Sequence, residues 1–231
     1  MERTLAIDIG GTGLKMICLD EQGGLVTERT RVLTPQPATV EAVLAALEGM
    51  DEPHRPYARI SVGFPGVVVD GVVKTAANLD PSWSGHDLAR SLRDLLGKPA
   101  RVCNDADQAG HGVIEGTGVE LVVTLGTGFG SALFVDGRLV PNLELGHHPF
   151  RKGKTYEEVL GKAGLARLGK TKWTRRLHEA IEQLRRLFNF RRLYVGGGNA
   201  KKIREPGALP EDVVVVDNAA GLVGGIALWR E

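Results

Sequence analysis

The chain has 231 residues, 42% hydrophobic and 25% charged, with a net charge of +1. That length buries a substantial core in one compact domain or two small ones, and the near-zero net charge excludes a protein that grips polyanions by bulk charge, so any basic site is local. The 31 glycines cluster at turn-like places without a period, which excludes collagen-like and low-complexity chains. Met1 to Thr4 leads into an apolar run interrupted by Asp8 rather than into a signal-peptide core, and no window approaches the roughly 18 apolar residues of a membrane span. The expectation is a cytoplasmic protein with no membrane partner. Cys18 and Cys103 lie on apolar runs and read as buried reduced thiols. His147-His148 has no CxxC or HExxH partner, so no zinc site is expected.

In chain order, LAIDIGGTGLKMICLD (5–20) is an apolar run, a Gly/Thr cluster and a second apolar run that reads as a strand–turn–strand. Gly23-Gly24 marks a turn before a third strand, Leu25 to Val32. Thr39 to Leu47 has helical spacing with Thr39 as N-cap, Arg59 to Val62 is a strand, and Asp87 to Leu96 is an amphipathic helix ended by Gly97 and Pro99. Ala100 to Cys103 is a short strand running into Asn104-Asp105-Ala106-Asp107, and a helix follows from Asp105 to Glu115. LVVTLGTGFGSALFVD (121–136) then repeats the opening grammar, and Asp136-Gly137 is a hairpin turn into another strand. Thr155 and Glu158 form a capping-box pattern, with helix through Leu168 and again from about Trp173 to Asn189. The strand Arg192 to Val195, the loop Gly196-Gly197-Gly198-Asn199-Ala200, the strand Val213 to Val216 and a Gly-rich helix Ala219 to Trp229 complete the chain.

The segments after both Gly/Thr clusters read as strands, whereas a Rossmann fingerprint or Walker A loop opens a helix. In the first turn Gly10, Gly11 and Thr12 offer N–H groups and a hydroxyl to phosphate oxygens, with Lys15 as a nearby cation; the bland reading is an ordinary hairpin. Asp8 repels phosphate unless a cation lies between, which points to Mg²⁺ held partly through water. Thr127 and Gly128 belong to the second such turn. Asp105 serves either as helix N-cap or as a general base for a hydroxyl acceptor. Glu144 and His147 suit vicinal hydroxyls, Asn78 adds a neutral hydrogen-bonding group, and Glu157 is the adjacent glutamate that the capping box leaves over. Arg151, Lys152, Lys154, Lys162, Arg167, Lys170, Lys172, Arg175 and Arg176 form a basic run that reads as a solvated helix face or as a track for a polyanionic phosphate donor. No aromatic stacking motif or helix-turn-helix accompanies it, so a nucleic-acid partner is not expected.

DIGGT (8–12), NDAD (104–107), LGTGFGSAL (125–133), ELGH (144–147) and GGGNA (196–200), in this order over nearly the whole chain, resemble the ROK family of sugar kinases. GKTYEEVLG, LGKTKW, GGGNAKKI and GLVGGIALW are similar within that family to the polyphosphate/ATP glucokinases. The resemblance implies an α/β, actin-like (ribonuclease H-type) sugar kinase fold with two domains closing on a central cleft. It implies a small domain over 1–103, completed by the C-terminal helix 217–231, and a large domain over 104–216. It also implies a hexose kinase that moves a phosphoryl group from polyphosphate or ATP to the 6-hydroxyl of glucose or a related hexose, working with Mg²⁺ as a homodimer.

On the same basis Asp105 is the catalytic base and Asn78, Asn104, Glu144, His147 and Glu157 are sugar ligands. Gly10, Gly11, Thr12, Thr127 and Gly128 belong to the phosphate turns, beside the cation Lys15 noted above, Gly197, Gly198 and Asn199 to the nucleotide side, and Asp8 lies near the metal. After ELGH the chain has PFRKGKTYEE in place of the cysteine-rich zinc loop of many ROK proteins, so His147 is expected to bind sugar and not zinc. The lack of an N-terminal DNA-binding extension sets the chain apart from the family's repressors. Competing readings are a strictly ATP-dependent hexokinase of other sugar specificity and a sugar-binding protein without turnover.

Overall fold

The computed structural model describes residues 2–76, 79–203, 209–216 and 220–230. The chain divides into two compact units, Met1–Gly112 with Ala219–Glu231, and Val113–Asn218. The first contains β1 (Thr4–Ile9), β2 (Gly13–Leu19), β3 (Thr30–Leu33), α1 (Val40–Asp51), β4 (Arg59–Phe64), the two-residue pair β5 (Val68–Val69) and β6 (Val72–Val73), α2 (Leu88–Leu96), β7 (Ala100–Asn104) and α3 (Asp105–His111). The second contains β8 (Val119–Leu125), β9 (Phe129–Val135), β10 (Arg138–Val140), the short pair β11 (Pro149–Arg151) and β12 (Lys154–Thr155), α4 (Tyr156–Leu160), α5 (Lys162–Phe188), β13 (Arg192–Gly196) and β14 (Val213–Val215). α6 (Ala220–Val223) and a 3-10 turn over Gly224–Trp229 return to the first unit.

Both units build the same sheet. Its order is β3-β2-β1-β4-β7 in the first and β10-β9-β8-β13-β14 in the second, an antiparallel meander of three strands continued by two parallel ones. The parallel strands are apolar almost throughout, as expected where both faces of a sheet are covered. In the first unit Leu5, Ile7 and Ile9 face α1 and α2, while Ala6, Ile17 and Leu19 pack against Leu222 and Ile226 on the other side. α2 buries Leu88, Leu92 and Leu96 at a four-residue spacing and is capped by the Asp87 side chain, which accepts from Arg90 N–H at 2.9 Å. In the second unit Trp173, Leu177, Ala180, Ile181 and Leu184 of α5 cover Leu121, Val123, Leu193 and Val195.

The structure corrects four element boundaries. The third strand is Thr30–Leu33 and not Leu25–Val32, because Thr27 and Thr30 turn their hydroxyls to the buried His54 ring at 2.7 and 2.8 Å, and Leu25 keeps only an isolated bridge to Leu19. α3 stops at His111, where Gly112 N–H turns back to Ala109 O at 3.1 Å, and further on Glu115 N, Gly116 N and Thr117 N donate to the buried Glu120 carboxylate at 2.7–3.0 Å. α5 runs unbroken from Lys162 except for a kink at Gly169 (φ 71°, ψ 159°), which falls inside the break expected between Leu168 and Trp173. The last helix changes to 3-10 at Gly224, where a Cβ would lie 1.7 Å from Gln108 O. Trp229 ends that turn, donating to Ser61 Oγ at 2.9 Å with Arg101 over its ring at 4.5 Å. No helix among the described residues is long and apolar enough to cross a membrane.

Burial lowers the His54 pKa below its ordinary 6.5, and the nearby Asp51 carboxylate opposes that only in part; burial beside Arg230 lowers His111 in the same direction. The unfolded chain therefore takes up these protons first. The stability that neutral His54 contributes is complete above about pH 6.5 and is lost as pH falls toward the lower folded value. Denaturant midpoints measured from about pH 7.5 down to about pH 5.5 are expected to fall, and His54→Asn is expected to fall less steeply than the parent chain. Equal slopes would show that His54 does not titrate in this window.

Candidate active site

In the first unit the candidate residues lie where the parallel strands end. Register aligns Asp8 with Gly63 and Gly63 with Cys103, so β1, β4 and β7 deliver Asp8, the 10–12 turn and Asn104-Asp105 to one sheet edge, the carboxyl edge at which open α/β sheets bind ligands. Gly10 N–H closes the turn on Gly13 O at 3.2 Å, and Thr12 is exposed at its tip. The turn is held from outside by Thr34, whose hydroxyl donates to Gly10 O and whose N–H reaches Thr12 O at 3.5 Å. Asp8 and Lys15 sit directly across from one another on β1 and β2 and form an ion pair at 2.6 Å.

At α3 the cap is Asn104. Its Oδ1 accepts from Ala106 N at 2.8 Å and Asp107 N at 3.3 Å, and its Nδ2 donates to Gly66 O at 3.1 Å. Asp105 is therefore the first helical residue, half-buried, and the N-cap duty that competed for its carboxylate belongs to its neighbour. Burial, then Asp107 and Asp105, push the Cys103 thiol well up, so it stays protonated beside them. Asn78 lies outside the described residues.

The second unit gathers its candidates around the 126–128 turn. Gly126 N–H closes on Gly128 O at 3.1 Å and leaves Thr127 exposed at the tip, as Thr12 is in the first unit. The GGGNA loop is bound to this turn: Asn199 N–H donates to Leu125 O and Asn199 Nδ2 to Gly126 O, each at 2.8 Å. Gly197 is at φ 89°, and a Cβ there would stand 2.5 Å from the Leu125 backbone, so only glycine satisfies both conditions. Gly198 is exposed beside it.

Glu157 stands on the other side of the turn. Its Oε2 accepts from Phe129 N–H at 3.3 Å, and a Cβ on Gly128 would lie 2.1 Å from that oxygen. The ring of Tyr156, stacked on Phe150 at 4.6 Å and tilted against Phe129 at 5.4 Å, anchors α4 and so sets Glu157 in place. The capping box expected at Thr155 and Glu158 is formed. Glu144 is half-buried with His147 Nε2 3.5 Å from its Oε2. Burial raises the Glu144 pKa, His147 opposes this, and the charge of Glu157 raises it further, so the three side chains share one electrostatic neighbourhood. Ser131 pins their loop, accepting from Leu145 N at 3.1 Å while donating to Leu143 O at 2.5 Å.

Thr34 and Ser131 are the positioning residues that the sequence reading missed. Ser131 was findable, as a polar residue on the inward side of the alternating strand Phe129–Val135. Thr34 acts only because β3 pairs with β2, and nothing local marks it.

Residues 4–158 match the ROK family. The chain belongs to that family. It is 34% identical over 233 residues to the polyphosphate glucokinase of Mycobacterium tuberculosis (strain CDC 1551 / Oshkosh), covering 94% of this chain and 88% of the relative. It is 40% identical over 156 residues to the polyphosphate glucokinase of Mycobacterium leprae (strain TN), covering 63% and 47%. The crystal structure of inorganic polyphosphate/ATP-glucomannokinase from Arthrobacter sp. strain KM superposes with a TM-score of 0.88 at 37% identity over 100% of both chains. The ROK family glucokinase from Streptomyces griseus shares the fold at 21% identity, with a TM-score of 0.78 over 98% of each chain. The duplicated sheet is thus the actin-like α/β fold of ROK sugar kinases.

Gly197→Ala is expected to destabilise the protein by more than about 2 kcal/mol, from backbone strain and overpacking together. The shift in denaturant midpoint measures it. A loss under about 0.5 kcal/mol would mean that the loop is not seated on Leu125.

Proposed function

We propose that the protein is a hexose kinase that transfers a phosphoryl group from inorganic polyphosphate or ATP to the 6-hydroxyl of glucose. The observation that carries this reading is the placement of Asp105: a carboxylate at the edge of three parallel strands, at the start of a helix whose cap is Asn104. The full-length likeness to a polyphosphate/ATP-glucomannokinase and to a polyphosphate glucokinase supports the choice of substrates.

In this reading Asp105 accepts the proton of the sugar hydroxyl as its oxygen forms the new bond to phosphorus. The donor's P–O–P link breaks and the shortened donor departs with the bonding electrons. Gly10, Gly11, Thr12, Thr127 and Gly128 hold donor oxygens through backbone N–H groups and hydroxyls, and Gly197, Gly198 and Asn199 flank the nucleotide when ATP is the donor. Asn104, Glu144, His147 and Glu157 hold the sugar hydroxyls. Asn104 orients the acceptor chiefly through the backbone it caps, since its Oδ1 is engaged by two helix amides.

Among the described residues no group of three His, Cys, Asp or Glu side chains forms a metal cage. Asp8, a single carboxylate, would have to release Lys15, now at 2.6 Å, to hold Mg²⁺, which suits an ion that arrives with phosphate and keeps most of its waters. Mg²⁺ held by Asp8 would supply charge neutralisation at the donor phosphates. The same reading, through family resemblance, makes the protein a cytoplasmic homodimer.

Asp105→Asn is expected to keep glucose affinity within about twofold and to lose at least about 100-fold in kcat, the range typical of a removed general base. Calorimetric glucose binding beside a coupled assay of glucose 6-phosphate separates the two quantities. Unchanged kcat would remove Asp105 from this role, and glucose binding without consumption of either donor by the parent enzyme would reject the kinase reading.

A further inference from the structure

Resemblance puts Asn199 beside the nucleotide, yet its side chain is committed elsewhere. Asn199 is only 6% exposed. Its Nδ2 donates to Gly126 O at 2.8 Å, its Oδ1 accepts from Lys202 Nζ at 2.9 Å, and its own N–H donates to Leu125 O at 2.8 Å. The amide fits only one way round. A lysine ammonium can only donate and a backbone carbonyl can only accept, so Oδ1 faces Lys202 and Nδ2 faces the turn.

What this does to the turn follows from the geometry of the peptide unit. In a trans peptide the carbonyl of one residue and the N–H of the next point to opposite sides, and among the described residues cis bonds occur only before Pro37 and Pro56. Holding Gly126 O toward the 196–200 loop therefore directs the Thr127 N–H away from that loop. Lys162 N–H takes Thr127 O at 3.1 Å in the same way and fixes the direction of the Gly128 N–H. These are amides that receive donor oxygens in the reading above. A peptide left unheld is free to rotate, and a carbonyl turned into that place repels phosphate where an N–H attracts it.

The loop that carries Asn199 is itself tied down. Ala200 N–H donates to Gly197 O at 3.0 Å, Lys202 N–H donates to Asn199 O at 2.9 Å, and Ala200 is buried in the core. The first unit repeats the device with a different residue: Gly10 O accepts from the Thr34 hydroxyl, which directs the Gly11 N–H the other way. In each glycine turn a side chain from elsewhere in the unit thus holds the first glycine's carbonyl.

We propose that Asn199 is a positioning residue of the phosphate turn, acting through the Gly126 carbonyl and serving polyphosphate and ATP alike, rather than a ligand of the nucleotide. This rests on the phosphotransferase reading above. The test compares the parent enzyme with Asn199→Ala and Asn199→Asp. Both variants lose the N–H that holds Gly126 O; the first leaves a small cavity, whereas the second keeps the volume and the Lys202 pair but adds a charge. Steady-state kinetics with ATP and with inorganic polyphosphate give donor KM and kcat, calorimetry gives glucose affinity, and the unfolding midpoint shows whether each variant folds.

Donor KM is expected to rise about tenfold in both variants and by the same factor with either donor, the scale of one lost hydrogen bond, while glucose affinity stays within about twofold. A loss confined to one donor would overturn the proposal, and if that donor is ATP it would make Asn199 a nucleotide ligand. A loss in only one of two folded variants would overturn it as the effect of a cavity or of charge, and so would a lower kcat at unchanged KM, which reports a smaller folded fraction. Where one variant does not fold the other decides, and failure of both would make Asn199 a residue of the fold alone. Equilibrium binding of polyphosphate and of ATP without sugar gives an answer independent of turnover. Equal weakening of both supports the role of Asn199 even if no donor is consumed, an outcome that would defeat only the kinase reading; unchanged binding would overturn it even in an active kinase.

Discussion

The second unit is organised by close approaches to glycine backbone that leave no room for a side chain. Gly197 lies against Leu125, Gly128 against the Glu157 carboxylate, and Gly161 against Thr127. Each contact brings a different element to the same three-residue turn: the loop after β13, the helix α4 and the start of α5. The turn is therefore fixed from three sides before any ligand arrives, and its N–H groups pay little reorganisation when they meet charge. The first turn is fixed more lightly, by Thr34 reaching across from the end of β3. The second turn also carries the start of α5, through the Lys162 N–H bond to Thr127 O.

Charge is arranged around these turns with the same economy. Asp8 would repel phosphate, but it lies cross-strand from Lys15, which already balances it. Glu144 and Glu157 are close enough for one charge to raise the other's pKa, and Phe129 N–H and His147 offset only part of that repulsion. Paired carboxylates of this kind suit neutral polyols, whose hydroxyls donate to them, and are poor seats for phosphate. The acidic group and the glycine turn thus present opposite electrostatic characters within a single unit.

Much of the fold was legible because its signals are local. Apolar runs gave the strands, Thr39, Asp87 and Thr155 marked helix starts, and the repeated Gly/Thr turns announced two halves of one design. The misplaced boundaries all have tertiary causes. Leu25–Val32 has the composition of a strand, yet the Thr27 hydroxyl goes to His54, 27 residues away, and strand pairing begins only at Thr30. α3 ends at Gly112, and the amides of Glu115, Gly116 and Thr117, where helix was expected to reach, go to Glu120 instead. At the site, Asp105 was legible as a carboxylate after a strand, but whether it or Asn104 caps α3 was not, and that is read from the two amides that Asn104 Oδ1 accepts. Ser131 and Thr34 act through partners 12 and 24 residues away, a separation at which residue type carries little information.

The two units share a strand order and differ in one connection. Between β3 and β4 the first unit inserts little more than α1; between β10 and β13 the second inserts the Glu144 loop, the β11–β12 pair, α4 and the 27-residue α5. Parallel strands end on a common edge, so duplicating the sheet supplies two glycine turns at equivalent places without further invention. Duplication alone gives no means of telling one sugar or donor from another. The enlarged crossover adds side chains that are held by packing against the turn that the duplicated sheet already provides. The first unit instead spends its corresponding freedom on β7 and α3, where Asn104 caps and Asp105 stands at the edge. A repeated scaffold with unequal crossovers accounts for both the symmetry of the turns and the asymmetry of the chemistry.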